Sequence, residues 1–199
     1  MATPELLGAT APFKVVTSAG LHDAGPDMWL SLWQQAARQD GQDWTRVVQS
    51  DWDDPDPDAW ADALAMTVDE ARGARPVIVV GHSLGALAVV RASLSEAMPP
   101  VAGAFLVAPP DTGQELTRDE IARWGEGPWG RLPFPAAVVA SHDDPWCAFE
   151  RAATLAKSWD ARLLDAGAAG HVAAADGHGP WPEGAGMLRD FVLSLRGPL

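Results

Sequence analysis

Val77-Ile78-Val79-Val80-Gly81-His82-Ser83-Leu84-Gly85 decides the fold. Four β-branched residues stop at a Gly-x-Ser-x-Gly pattern, and Leu84, Leu87, Ala88, Val90 and Leu94 then recur at a spacing suited to a helix lying on a sheet. A buried strand, a sharp turn and a helix in that order form the setting in which Gly-x-Ser-x-Gly is a nucleophile elbow. A serine on such a turn sits in strained backbone, and a Cβ at Gly81 or Gly85 would crowd the neighbouring strand and helix. The turn offers the Ser83 hydroxyl at a helix N-terminus, where amide donors and the helix dipole favour developing negative charge. Without its flanking elements the pattern is weak; with them it reads as a catalytic serine rather than a merely tight turn.

Outward from the elbow, apolar runs recur at βα spacing. Strands are expected at Phe13–Thr17, Arg46–Gln49, Val77–Val80, Ala102–Val107, Ala136–Ala140 and Arg162–Leu164. Helical patterns fall at Trp29–Asp40, Ala59–Arg72, Leu84–Ser95, Cys147–Ser158 and Gly186–Leu195. Alternating strands and helices imply right-handed crossovers and a mainly parallel sheet covered on both faces. The expectation is an α/β fold: one α/β-hydrolase domain over 13–199, about six strands, helices on both faces and no cap domain. Residues 1–12 form a loose lead-in. The Gly- and Pro-rich stretch between Val107 and Ala136, with a short helical segment around Glu115–Trp124, is too small for a separate cap. It can bring Trp124 and Trp129 over a cleft, or pack them against the body as a plain connection.

Composition narrows the function classes. The 199 residues suffice for one sizeable core. Lys plus Arg number 14 against 27 Asp plus Glu, a net charge of −13, which repels phosphate backbones and anionic lipid. Neither nucleic acid nor membrane is an expected partner. No apolar stretch approaches a membrane span and no signal-peptide pattern opens the chain, so a cytoplasmic location is expected. The one cysteine, Cys147, rules out an internal disulfide and any cysteine-cluster metal site, and it reads as a buried, inert thiol. Asp176, His178 and His171 lack metal-ligand spacing, and no Gly-x-Gly-x-x-Gly follows the first strand, so neither metal nor cofactor is expected. Ten tryptophans and no tyrosine are present; most of the indoles are expected to be structural.

A serine nucleophile needs a base, and the base needs an acid to orient it. On this fold they follow in the order Ser, Asp or Glu, His, each just past the carboxyl end of a strand. His171, in a small-residue loop after Leu163-Leu164-Asp165, fits the base better than His178, which suits a pocket rim. His22 comes too early, His142 leaves little chain for a later base, and His82 should point away from the serine beside it. Asp144 is the chosen acid, with Asp143 a surface carboxylate and Asp111 the runner-up. Asp144 also precedes Pro145 and could instead cap a helix. The oxyanion hole pairs the Leu84 amide with that of Leu21 or His22 in the first-strand loop. Trp124, Trp129, His178 and Trp181 are candidate pocket residues.

These residues resemble the small, lidless serine hydrolases of the retinoblastoma-binding-protein-9-like family, particularly its bacterial members. The resemblance spans nearly the whole chain after the lead-in. It rests on Gly81-His82-Ser83-Leu84-Gly85, on Leu132-Pro133-Phe134-Pro135 running into Ser141-His142-Asp143-Asp144-Pro145-Trp146-Cys147, and on Gly170-His171 followed by Gly177-His178-Gly179-Pro180-Trp181-Pro182-Glu183-Gly184. In that family the aspartate before the proline is the triad acid and the histidine after the glycine is the base, so the resemblance gives Asp144 and His171 those roles. It also implies a single parallel-sheet domain, no cofactor, and hydrolysis of small esters or amides. Two stretches depart from the family's pattern: Met28-Trp29-Leu30 stands where bacterial relatives carry His-Trp-Gln, and the loop from Gly20 to Pro26 lacks the usual glycine- and serine-rich form.

The expected function is a serine hydrolase, carboxylesterase-like, cleaving small acyl esters or amides through an acyl-enzyme. The alternative is an idle hydrolase shell that acts as a protein-interaction module. The sequence says nothing of the oligomeric state.

Overall fold

The computed structural model describes residues 5, 7–95, 98–114, 118–125, 127 and 130–196. Six strands, β1 (Lys14–Ser18), β2 (Trp44–Arg46), β3 (Val77–His82), β4 (Gly103–Val107), β5 (Ala136–Ala140) and β6 (Arg162–Asp165), form one sheet in the order β2-β1-β3-β4-β5-β6. Every neighbouring pair is parallel, with Ser18 opposite Gly81 and His82 opposite Val107. The elbow strand β3 therefore lies in the middle of the sheet, and its carboxyl end opens between the ends of β1 and β4.

The period-2 pattern divides the core into two halves. Val16, Val79, Leu106 and Val138 face one way, against α2 (Pro57–Ala71), α3 (Leu84–Ser93) and α5 (Phe149–Ser158). Val15, Ile78, Val80, Phe105, Val107 and Val139 face the other, against α1 (Trp29–Gln39) and α6 (Pro182–Ser194). Both faces are covered, so the central strands β3, β4 and β5 are buried from end to end, as parallel sheets require, whereas the edge strands β2 and β6 carry exposed polar residues. The connection from β4 to β5 carries the four-residue α4 (Asp119–Ala122), the one helix among its described residues. No described helix is long and apolar enough to cross a membrane.

The differences from expectation are local. β2 spans Trp44–Arg46 rather than Arg46–Gln49. Its register is set by Trp44, buried opposite Val15, whereas Val48 is 77% exposed beyond the strand end. α2 starts two residues early because the Asp56 carboxylate accepts from the Ala59 amide at 2.8 Å and Pro57 occupies the first turn. α6 likewise starts at Pro182 despite Gly184 and Gly186 in its first turns. α5 starts two residues late, since Asp144 holds the Trp146 amide at 2.9 Å in a preceding turn. Within the lead-in expected to be loose, Leu7 and Thr10 are instead buried, and Thr10 donates to the Leu7 carbonyl at 2.9 Å.

Candidate active site

Ser83 occupies the turn between β3 and α3 with φ 54° and ψ −126°, a left-handed conformation costing about 1–3 kcal/mol that persists only where the surroundings enforce it. Enforcement is steric. A Cβ on Gly85 would stand 2.2 Å from the Ser18 carbonyl oxygen and 2.4 Å from that of Ala19, and one on Gly81 would stand 2.8 Å from Ala86 Cα. The first-strand loop presses on the same turn, for a Cβ on Gly20 would lie 2.7 Å from Ser83 Cβ. The Ser83 amide is anchored to the Val107 carbonyl at 2.9 Å.

His171 and Asp144 converge on this serine from the ends of β6 and β5. The Asp144 side chain is 2% exposed and accepts the His171 Nδ1–H at 3.0 Å to each carboxylate oxygen. A carboxylate only accepts, so Nδ1 carries the proton and Nε2 is left with a lone pair. The Ser83 hydroxyl donates to that lone pair at 2.8 Å. Asp144 also retains its hold on the Trp146 amide, so the turn role and the imidazole contact coexist.

His82 does not project idly away. It lies behind His171, ring centroids 5.1 Å apart, and its Nε2–H donates to the His171 backbone carbonyl at 3.0 Å. Burial, with His171 nearby as a second cause, pushes the His82 pKa down to about 3. The ring is therefore a neutral donor at ordinary pH. Trp29 meets its edge at 5.9 Å.

Amide accounting separates the two oxyanion candidates. The Leu84 amide begins α3 and the Leu21 amide lies in the first-strand loop; neither has a hydrogen-bond partner among the described residues. His22 spends its amide on the Trp52 carbonyl at 2.9 Å, which removes it as a donor and leaves Leu21. His22 instead presents its imidazole to the cleft, Nδ1–H donating to Asp53 at 2.7 Å.

A cleft of about 200 Å³ opens over Ser83, lined by Leu21, Met28, Leu84, Ile121 and Trp146, with Arg118 among its polar walls. Met28, Ile121, Arg118 and Trp146 were missed from the sequence. Trp146 had a signal, two positions after Asp144. Broader, shallower hollows, about 710 Å³ between α1 and β2 and about 640 Å³ beside Arg131 and Asp160, lie away from Ser83.

Other candidates are placed elsewhere. Trp124 is 1% exposed and packs edge-on against Trp60 at 5.9 Å, so it belongs to the core and not the cleft. Trp129 lies outside the described residues. Trp181 is buried, stacked on Trp33 at 5.7 Å, and His178 meets its edge at 5.9 Å; neither lines the cleft. Asp111, the runner-up acid, pairs with Arg151 at 3.0 Å. His142 stacks on Phe149 and bonds Asp165 at 3.0 Å. Burial, reinforced by Asp111 and Asp144, raises the Cys147 thiol to about 12, consistent with an inert group.

Known proteins resemble this chain in sequence and fold. Residues 15–190 match the serine hydrolase family, and the chain belongs to it. A YdeN-like hydrolase of Pectobacterium atrosepticum is 33% identical, with 96% of each chain covered and a TM-score of 0.76. The ydeN gene product of B. subtilis is 20% identical over 94% of this chain and 100% of that one, TM-score 0.75. Est1E of Butyrivibrio proteoclasticus, solved with ferulic acid bound, is 15% identical over 94% of this chain and 90% of its own, TM-score 0.72. The last two show the shared fold alone. No curated protein matches the chain.

Proposed function

We propose that this member of the serine hydrolase family cleaves small acyl esters with Ser83 as nucleophile, His171 as general base and Asp144 as its orienting acid. The observation that carries the reading is the continuous hydrogen-bonded line from Asp144 through His171 to Ser83 Oγ, its last step 2.8 Å. As Oγ attacks the acyl carbonyl, its proton passes to Nε2, and Asp144 stabilises the imidazolium. The free amides of Leu84 and Leu21 take the developing oxyanion, each donor worth about 3 kcal/mol. The imidazolium then protonates the departing alkoxide, leaving the acyl group on Ser83. Water, deprotonated by the same nitrogen, attacks the acyl-enzyme, and the acid leaves with Ser83 restored.

The cleft favours a short acyl group. About 200 Å³ with apolar walls is below the roughly 300–1,000 Å³ typical of drug-sized ligands. A panel of acyl esters of graded chain length should give its highest kcat/KM at the short end; a preference for long chains would refute this assignment of the cleft. A fluorophosphonate probe should label the wild type at Ser83 and leave Ser83→Ala unmarked. An unlabelled wild type would favour the interaction-module alternative.

A further inference from the structure

His171 stands on a stretch with little structure of its own. Residues 166–173 contain neither helix nor strand. Gly170 and Val172 lie at φ 55° and 54°, and for a β-branched residue such as Val172 that conformation is costly. Side chains supply the missing order. The Ala169 amide donates to Ser141 Oγ at 2.9 Å, the Gly170 amide to Asp143 Oδ1 at 2.7 Å, and the Ser141 hydroxyl to the same Asp143 oxygen at 2.7 Å. The His171 and Ala173 amides both donate to Asp176 Oδ2, at 3.0 and 3.1 Å.

Adjacent aspartates thus divide one task. Asp144 grips the imidazole, whereas Asp143 grips the peptide immediately before it. We propose that Asp143, acting through Ser141 and the Gly170 amide, is a positioning residue that fixes the distance between His171 and Ser83. The inference rests on the proposed triad and adds a group that never touches substrate. The Ser141 hydroxyl and then the Gly170 amide hold the Asp143 carboxyl below its ordinary value, as expected of a carboxylate bonded in its ionised form. Asp143 is solvent-exposed, so its loss removes little packing. Its effect should appear in the chemical step, because a displacement of about 1 Å in a reacting group can cost about 100-fold in rate.

The test compares Asp143→Ala, Asp143→Asn and Ser141→Ala, with kcat expressed per active site titrated by a fluorophosphonate and melting followed in parallel. Asp143→Ala should lower kcat about 10- to 100-fold with KM within about threefold of wild type, as expected for a displaced base. Asp143→Asn keeps an oxygen that can accept both bonds and should recover to within about fivefold of wild type. Ser141→Ala, which removes one of the two donors and leaves the carboxylate in place, should cost about three- to tenfold. The proposal is overturned if kcat per titrated site is unchanged in Asp143→Ala while only melting or titre falls. It is equally overturned if Asp143→Asn is no better than alanine, or if Ser141→Ala turns over at the full rate. Ser83→Ala, assayed alongside, separates the layers: turnover there sinks the triad itself, whereas a dead Ser83→Ala beside an unimpaired Asp143→Ala sinks this inference alone.

Discussion

Residues 81–86, which carry Ser83, and residues 166–173, which carry His171, meet at a 2.8 Å bond between Ser83 and His171 and a 3.0 Å bond from His82 to the His171 carbonyl, but are built by opposite means. The first is backbone pressed on backbone: Gly85 under the Ser18 and Ala19 carbonyls, Gly20 against the serine Cβ, and the Ser83 amide tied to β4. The second is backbone hung from side chains, with Ser141, Asp143 and Asp176 each accepting an amide and His82 donating to a carbonyl. Steric construction fails when an atom is added; tethered construction fails when an acceptor is removed. The two halves should therefore break differently.

The largest effect separates chemistry from construction. Ser83→Ala should lower kcat about 10⁴- to 10⁶-fold with melting little changed, since its hydroxyl faces a cleft; residual turnover near wild type would end the assignment. Gly85→Ala attacks the steric half, and with a Cβ 2.2 Å from a carbonyl oxygen it should cost about 3 kcal/mol in urea unfolding. A cost under about 1 kcal/mol would mean the turn yields more than the comparison allows. His82 spans both halves and is sensitive to acid. Between 6.5, where the unfolded chain's imidazole takes a proton, and about 3, where the folded one does, the unfolded state holds more protons, so stability falls as the pH is lowered. His82→Asn should flatten that fall by about 2 kcal/mol between about pH 7 and pH 4.5; parallel unfolding curves would contradict it. The smallest effect belongs to the tethered half. Asp176→Ala frees the amides of His171 and Ala173 and should lower kcat about tenfold at nearly constant KM. An unaltered kcat would show that the remaining tethers suffice.

The same contrast explains what could be read in advance. Gly81, Ser83 and Gly85 advertise a steric demand within five positions, and Val77–Val80 just before them advertises burial through an unbroken β-branched run. The parallel sheet, its two covering layers and the sharp turn at Ser83 were legible for that reason. The edge strand was displaced because Val47 and Val48 imitate a strand, while the register is set by Trp44 packing on Val15. Trp124 was ambiguous because only the position of Trp60 decides whether that indole turns to the cleft or the core. Asp143 and Asp176 gave no sign of their function. Their partners are peptide amides, 27 residues away from Asp143 and 5 from Asp176, and no residue type marks an amide as bonded. The unavailable His22 amide was hidden in the same way.

The contact between Gly20 and Ser83 has a wider consequence. It makes the end of β1 and the Ser83 turn a single fixed jaw, with Leu21 and Leu84 both on it. Ile121, Arg118 and Trp146, which also line the cleft, come from separate segments of the chain. With Ser83 as the proposed nucleophile, a library confined to those three positions should alter acyl selectivity at nearly constant reactivity toward a minimal ester.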